Sequence, residues 1–280
     1  MNRTRAYGVT MDPLVTAATL ATELAGSDPP LVIDTRPAEE FARGQIAGAV
    51  HLDLWGVSLI DTNEAPLAAF TWMIGHLFSL RGVTAGRPVV TYEATSGLRA
   101  ARAFWLLEYL GHPRVRVLDG GVGAWKQHGL ALSTDPVAPT PSSWHGAPNA
   151  DRIATWRDVL ARLGRAETAI VDTRSDDEYR ARVVRARRGG AIPGAVHLEW
   201  TENLTPEGRY KSPDELLAMY ASLGVTRDRE VVTYCQGGYR AAHTYLALRL
   251  LGFPNLRNYT GSWKEWGDRE DLPLERTPPA

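Results

Sequence analysis

Residues Val231–Arg240 read VVTYCQGGYR, a run that predicts a strand, a tight glycine loop and the start of a helix. Four β-prone residues lead into Cys235, two glycines follow it, and a helical pattern begins at Arg240. Backbone N–H groups converge at such a helix start, and the helix dipole favours negative charge there. A thiol in that position is driven toward the thiolate, which is its nucleophilic form. The stretch therefore predicts an α/β protein with a reactive cysteine at the end of a strand.

The chain contains this organisation twice. Val32–Arg36 (VIDTR) recurs as Ile170–Arg174 (IVDTR), and Gly48–Leu52 (GAVHL) recurs as Gly194–Leu198. Further pairs follow in the same order: Val89–Tyr92 with Val231–Tyr234, Arg99–Ala101 with Arg240–Ala242, Leu110–Gly111 with Leu251–Gly252, and Gly120–Trp125 with Gly261–Trp266. So many ordered matches indicate a duplication. We expect two similar domains, each a mainly parallel sheet flanked by helices.

Strands and helices alternate within each copy, which favours a parallel sheet covered on both faces. Predicted helices of the first copy include Leu14–Leu24, with Thr16 as a cap, Phe70–Arg81 and Leu98–Leu110. Residues 136–150 are rich in proline and small polar residues, which predicts an extended linker. The expected domains are therefore 1–135 without catalytic function and 151–280 with it, and Met11 could serve as an alternative start.

The two strand-to-helix loops differ in one important residue. Glu93 stands in the first copy where Cys235 stands in the second, and the loop from Glu93 to Arg99 is one residue longer. A carboxylate there would repel an anionic ligand. We therefore expect the first loop to be an empty cup and the second to be the working site.

Composition narrows the class of protein. The 31 Lys and Arg nearly balance the 32 Asp and Glu, so a net charge of −1 gives no case for nucleic acid or an anionic membrane as partner. One cysteine cannot form an internal disulfide, and no stretch reads as a signal peptide or a membrane span, so we expect a cytoplasmic protein. The seven histidines show no zinc-like spacing with that cysteine. We predict neither a metal nor a cofactor.

These motifs, together with Tyr259–Trp266 (YTGSWKEW), resemble the tandem-domain rhodanese family of sulfurtransferases over about residues 14–275. The resemblance implies that the second domain alone is active, through a persulfide on Cys235 and ping-pong kinetics. The Cys-Gln-x-x-x-Arg pattern is similar to that of bacterial thiosulfate:cyanide members. It implies thiosulfate as the anionic sulfur donor and cyanide or a thiol as the acceptor. A 3-mercaptopyruvate donor, or a persulfide relay to a protein acceptor, remains the alternative.

Four loop residues are expected to bind substrate through backbone N–H groups around the sulfur: Gln236, Gly237, Gly238 and Tyr239. Arg240 is expected to place its guanidinium near the thiolate or the donor. Because Arg99 stands at the same place in the copy without a thiol, a role in folding the loop is an equally good interpretation of Arg240.

The second copy has gained eight residues in an arginine-rich stretch, Arg180–Gly190. Its arginines could steer anionic donors toward the site, or could simply form a solvated loop. Trp200 could line the pocket, although packing is the simpler interpretation. Asp172 and Arg174 recur in the first copy, which indicates a structural role in both domains.

A phosphatase of related fold is the rival from another reaction class. Such enzymes carry five residues between the cysteine and the arginine, which leaves room for a tetrahedral phosphate. This chain has four residues there, Gln236 to Tyr239. The shorter loop therefore favours sulfur transfer over phosphate release.

Overall fold

The computed structural model describes residues 12–276, so Met11 and the question of the start lie outside it. In the first half the elements are β1 (Leu14–Val15), α1 (Ala17–Leu24), β2 (Leu31–Asp34), α2 (Ala38–Ala42), β3 (Val50–His51), α3 (Glu64–Ser79), β4 (Val89–Tyr92), α4 (Leu98–Tyr109), β5 (Val115–Leu118) and α5 (Gly121–Gln127). Every strand of this half is followed by a helix, which supplies the crossover that parallel pairing requires.

The second half repeats that order. Its elements are β6 (Ile153–Ala154), α6 (Trp156–Leu160), β7 (Thr168–Asp172), α7 (Asp176–Tyr179), β8 (Val196–His197), α8 (Pro213–Ser222), β9 (Glu230–Tyr234), α9 (Tyr239–Leu250), β10 (Leu256–Tyr259) and α10 (Ser262–Asp268), with short 3₁₀ turns at Ala150–Arg152 and Trp200–Asn203. The nearly continuous apolar runs of β4 and β9 fit central strands that are buried on both faces.

Residues 12–276 form two five-stranded sheets, ordered β1-β5-β4-β2-β3 and β6-β10-β9-β7-β8. All pairs within these sheets are parallel. The predicted fold class, two duplicated α/β domains, is confirmed. The equal strand orders also show that the duplication extends to topology.

Two predicted helix boundaries were wrong. Leu14 and Val15 are not helical but pair with Val117 and Leu118 as an edge strand, and the helix begins after Thr16, whose hydroxyl caps it. The helix predicted over 70–81 begins earlier, at Glu64, and ends at Ser79. Its first turn contains a proline and lacks buried residues, so the apolar periodicity becomes visible only from Phe70.

The segment predicted as a linker lies along the first domain. Ser142 N–H donates to the carbonyl of Ser79, and Ala147 N–H donates to that of Leu110, both at 2.8 Å. Gly75 allows the closest approach, because a Cβ there would lie 2.5 Å from the carbonyl oxygen of His145. These bonds fix the path of the chain toward the second domain.

The two domains meet through α4 and α9. Each helix starts with buried alanines, Ala100–Ala101 and Ala241–Ala242, which let the two backbones approach closely. One hydrophobic cluster continues across the contact, from Phe104 to Leu246. The loops that precede these helices, at Glu93 and at Cys235, therefore both lie beside the opposite domain.

Candidate active site

Cys235 directly follows β9 and is only 1% exposed. Its backbone N–H donates to the hydroxyl of Ser262 at 3.1 Å, and its carbonyl accepts from the N–H of Trp263 at 2.9 Å. The sulfur accepts the N–H of Gly238 at 3.1 Å. The thiol is thus held by the start of α10 on one side and by the first turn of α9 on the other.

The two loop glycines have different roles. Gly238 has a φ of +82°, and a Cβ on it would lie 2.9 Å from the carbonyl oxygen of Thr260. Only glycine fits that left-handed position, which aims the Gly238 N–H at the sulfur. At Gly237 a Cβ would meet nothing within 4 Å. Gly237 therefore faces open space and leaves room above the thiol.

Arg240 stands next to the thiol and is also fixed by a carboxylate. Its two terminal nitrogens bind the two oxygens of Glu178, with Nη2 to Oε1 at 3.0 Å. Although burial alone would raise it, the hydrogen bonds and charge of Arg240 lower the pKa of Glu178 to about 2. Burial alone would lower the pKa of the Arg240 guanidinium, but its interactions with Glu178 and Cys235 raise it. The two interpretations of Arg240 are therefore compatible, since one side chain both braces the loop and faces the sulfur.

Gln236 and Tyr239 connect this loop to its surroundings through their side chains. The amide of Gln236 donates to the carbonyl of Arg185 at 2.8 Å, which ties the loop to the arginine-rich stretch. The hydroxyl of Tyr239 donates to the carbonyls of Leu54 and Val57, at 2.9 and 3.2 Å, in the first domain. Tyr239 therefore links the cysteine loop to the opposite domain, a role for its side chain that sequence analysis missed.

An open pocket of about 460 Å³ lies above the sulfur, between the two domains. Its lining residues from the second domain are Arg185, Cys235, Gln236, Gly237, Tyr239 and Arg240, and the first domain contributes Trp55 and Leu98. The Trp55 ring packs against that of Tyr239 with centroids 4.9 Å apart. The pocket thus joins one nucleophile and two guanidinium groups to an aromatic wall from the first domain.

Most of the arginine-rich stretch points away from this pocket. Arg180 and Arg182 pair with Asp176, and Arg182 also pairs with Asp177. Arg188 donates to backbone carbonyls in α10 and in the segment after it, including that of Leu272 at 2.9 Å. Arg185 is different, because its side chain lines the pocket and stays 59% exposed, although its Nη1 lies 3.6 Å from Oε1 of Glu178. Within the stretch, Arg185 is the residue placed to meet an anionic ligand.

The first loop is not the empty cup that the sequence suggested. The carboxylate of Glu93 fills it, and Oε1 accepts the N–H groups of Arg99 and Ala100 at 2.6 and 3.1 Å. The second domain covers the loop from outside, because Ser96 N–H donates to the carbonyl of Gly208 at 2.8 Å. In the second domain the start of α9 faces a ligand pocket. In the first domain the start of the equivalent helix, α4, instead holds the carboxylate of Glu93.

This carboxylate gives the fold a pH-dependent stability. Burial raises the pKa of Glu93 to about 7, against the opposing effect of the N–H bonds and of Arg99. Its stabilising contribution is therefore complete below its ordinary value of 4.5 and is lost as the pH rises through about 7. Glu93→Gln keeps the acceptor oxygen but cannot titrate, so at pH 8 it should raise the free energy of unfolding by about 1 kcal/mol.

Urea unfolding from pH 5 to pH 8 measures this effect. The wild type should lose stability over that range and Glu93→Gln should lose less. Glu39→Gln is the matched control, since it removes an exposed charge in the same domain. Equal slopes for the wild type and Glu93→Gln would contradict the assignment.

The remaining predicted residues have structural positions. Trp200 packs edge to face on the ring of His243 at a centroid distance of 5.0 Å, as the packing interpretation expects. Arg174 forms a buried ion pair with Asp172, whose carboxylate also accepts the hydroxyl of Tyr234. Arg36, Asp34 and Tyr92 repeat that arrangement in the first domain. The recurrence of Asp and Arg in both copies correctly indicated a shared structural role.

Glu178 and the contribution of the first domain were missed by sequence analysis. A signal for Glu178 existed, because it recurs as Glu40 in the first copy. No local pattern marks Trp55 or Leu98, since they reach the pocket only by domain packing. In the described range 12–276, no group of three His, Cys, Asp or Glu side chains could hold a metal ion. Over the same residues no helix is long and apolar enough to cross a membrane.

Comparison with known proteins agrees with the duplication. A rhodanese-like domain matches residues 16–128 and again residues 155–269. Among solved structures, the anaerobic ergothioneine biosynthesis enzyme from Chlorobium limicola superposes with a TM-score of 0.82. The superposition covers 97% of this chain and 72% of that enzyme. Since the sequences are only 21% identical, it shows a shared fold alone.

Curated relatives match most of the chain. The thiosulfate sulfurtransferase of Azotobacter vinelandii is 37% identical over 252 residues, or 88% of this chain and 90% of the relative. The thiosulfate sulfurtransferase of Pseudomonas aeruginosa is 32% identical over 274 residues, or 94% of this chain and 97% of the relative. The sulfur carrier protein TtuD of Thermus thermophilus is 34% identical over 208 residues, or 70% of this chain and 73% of the relative. With both domains matched and such relatives across most of its length, this chain belongs to the rhodanese family.

Proposed function

We propose that the protein is a thiosulfate sulfurtransferase in which Cys235 carries the transferred sulfur. The observation that carries this proposal is the nearly buried thiol at the floor of a pocket that two guanidinium groups, those of Arg185 and Arg240, also line. Thiosulfate is a small dianion, and its negative charge matches these groups. Two relatives named thiosulfate sulfurtransferase support the same donor.

The proposed reaction has two half-reactions. The Cys235 thiolate attacks the outer sulfur of thiosulfate, a new S–S bond forms, and sulfite leaves with the electron pair of the broken S–S bond. Cyanide or a thiol then attacks the outer sulfur of the persulfide. The products are thiocyanate, or a new persulfide, and the regenerated thiolate.

Each loop residue has a role in this scheme. The Gly238 N–H, which bonds to Sγ, stabilises negative charge on the sulfur, and Gly237 leaves space for the second sulfur. Arg240 faces the reacting sulfur and the leaving sulfite. Gln236 and Tyr239 hold the loop in place, the first against the arginine-rich stretch and the second against the other domain.

Steady-state comparison of donors tests this function. Thiocyanate formation should follow ping-pong kinetics with thiosulfate, and kcat/KM should be higher for thiosulfate than for 3-mercaptopyruvate. Mass spectrometry after thiosulfate alone should show one added sulfur on the peptide that contains Cys235. A clear preference for mercaptopyruvate would assign the alternative donor. Release of phosphate from phosphate esters, without thiocyanate, would instead revive the phosphatase interpretation.

Arg185 provides a prediction about the donor's approach. Because its charge is exposed at the pocket mouth, Arg185→Gln should lower kcat/KM for thiosulfate about three-fold at low salt, and the difference should shrink in about 0.5 M salt. Arg182→Gln is the matched control, since Arg182 carries the same charge in the same stretch but pairs with Asp176 and Asp177 and does not line the pocket. Equal effects of the two variants would count against steering by Arg185.

A protein acceptor is the second candidate, and the pocket rim favours it. Trp55, Val183 and Val184 are about half exposed near Arg185, which gives the rim apolar contact surface. A relative named sulfur carrier protein supports this role. The test is the rate at which isolated persulfide protein loses sulfur to a reduced protein dithiol and to cyanide. A rate much higher with the dithiol would favour the relay over the enzyme.

We also propose the cytoplasm as the compartment. A single functional thiol has no partner for an internal disulfide and needs a reducing environment to stay available. Fractionation of the native host with antibody detection would test this directly.

A further inference from the structure

Arg102, on α4 of the first domain, is a buried cation beside the cysteine loop. The residue is 1% exposed, and it donates to the carbonyls of Val57 at 2.8 Å and Gly237 at 3.3 Å. Its guanidinium also lies 3.8 Å from the ring centroid of Tyr239. Within residues 12–276 its Nε has no hydrogen-bond partner, and these contacts do not include a carboxylate.

Such a cation is costly unless a negative charge faces it. Burial of an ion without a counter-ion costs several kcal/mol in proteins, and here burial lowers the pKa of Arg102. The opposing, favourable interactions come from Tyr239 and Cys235. Of these two groups, the thiol is the one whose ionised form carries the proposed chemistry. Arg102 therefore lacks a fixed counter-ion, and the loop that it contacts at Gly237 carries the group that becomes an anion in the reaction.

The duplication supplies an internal comparison. His243 occupies the position of Arg102 in the other copy, three residues after the repeated arginine. Its Nε2 lies 2.9 Å from the carbonyl oxygen of Ser96, in the loop that Glu93 fills. Each helix thus reaches across to a loop carbonyl of the opposite domain. Burial lowers the pKa of His243 to about 4, so it is neutral at pH 7. The cation faces only the loop that holds the thiol.

We propose that Arg102 is a positioning residue that the first domain contributes to the active site. It holds the Gly237 carbonyl, and with it the cysteine loop, and it provides a buried positive charge opposite the thiolate or persulfide of Cys235. This inference rests on the proposed persulfide chemistry. Other charged or titratable groups around the sulfur are Arg185, Glu178, Tyr239 and Arg240. The first domain, which lacks a nucleophile of its own, then takes part in catalysis electrostatically.

Alkylation of Cys235 by iodoacetamide tests the charge without using sulfur transfer. Since the chain has one cysteine, the rate of mass gain reports on that thiol alone. At pH 7, Arg102→Gln should react about tenfold more slowly than the wild type, because the thiolate loses a neighbouring positive charge. At pH 10, where thiols are largely ionised, the two rates should agree within about twofold.

Two further variants make the test decisive. His243→Gln is the matched control and should leave both rates unchanged. Arg102→Lys keeps the charge but shortens the reach to Gly237, so its ratio of pH 7 to pH 10 rates should match the wild type. Circular dichroism and thermal unfolding show whether Arg102→Gln folds. If it does not, the rates of Arg102→Lys are used in its place. A lowered ratio in Arg102→Lys would then overturn the proposal.

Equal slowing of Arg102→Gln at both pH values would show a purely structural role and overturn the proposal. An unchanged rate at both pH values would overturn it as well. Failure of the wild type to form thiocyanate would instead count against the proposed function, and the alkylation ratios would still report whether Arg102 acts on the thiol.

Discussion

Cys235→Ser is expected to abolish sulfur transfer from thiosulfate to cyanide, with a loss in kcat of at least about 1,000-fold. The serine hydroxyl remains protonated near neutral pH and cannot hold sulfur in a persulfide, so neither half-reaction can proceed through it. The rate of thiocyanate formation measures the effect. Mass spectrometry after incubation with thiosulfate should show a persulfide on the wild type and none on the variant.

The serine variant should stay folded. Serine has nearly the shape of cysteine, and the backbone bonds from residue 235 to Ser262 and Trp263 do not depend on the side chain. Thermal unfolding should therefore change by only a few degrees, since loss of one buried sulfur contact costs about 1 kcal/mol. A serine variant that keeps more than about one tenth of the wild-type rate would contradict the covalent mechanism.

Arg240→Gln is expected to lower kcat/KM for thiosulfate by about 100-fold or more, because two electrostatic changes act together. The site loses a cation beside the sulfur, and Glu178 keeps only the longer ion pair with Arg185, at 3.6 Å. That carboxylate would repel both the thiolate and the anionic donor. Kinetics over a range of thiosulfate concentrations would measure how the loss divides between kcat and KM.

A double variant separates the two changes. Glu178→Gln together with Arg240→Gln also removes the carboxylate charge, so the double variant should recover part of the activity that Arg240→Gln alone has lost. Arg240→Lys should give intermediate activity, because it keeps the charge but loses the two-point contact with Glu178. If the double variant and Arg240→Gln were equally inactive, repulsion by Glu178 would not contribute.

Arg99 offers the matched control for Arg240. It stands at the equivalent position of the first copy and pairs with Asp53, in a loop without a thiol. Arg99→Gln should therefore reduce stability without a comparable loss of kcat/KM. An equal loss of activity in both variants would mean that these arginines act only through the common fold of their loops.

The cysteine loop could be predicted because its information is local. The strand, the two glycines and the helix start lie within Val231–Arg240, and hydrogen bonding and backbone freedom of neighbouring residues decide their geometry. The duplication was equally visible, since repeated motifs require only comparison along the chain. From these two features the parallel sheets, the position of Cys235 and a structural role for Asp172 and Arg174 in both domains could be predicted. The role of Gly238 followed from the same local chemistry.

The state of the first loop could not be predicted with the same success. Sequence analysis singled out Glu93 as a residue that would repel an anionic ligand and expected the cup to be empty. The structure shows that the Glu93 side chain turns back onto the N–H groups of Arg99 and Ala100 and fills it. Whether a carboxylate points into or out of a loop depends on rotamer and on covering contacts, here from Gly208 of the other domain.

By itself, the sequence determined the duplicated α/β fold, the nucleophile and the loop that holds it, because these depend on residues adjacent in the chain. Only the tertiary structure decided what surrounds the sulfur. Trp55, Leu98 and Arg102 reach the site because the two domains pack together through α4 and α9. Glu178 reaches Arg240 because the strands before them, β7 and β9, are neighbours in the sheet. Contacts of this kind depend on the packing of whole elements, which no local sequence pattern encodes.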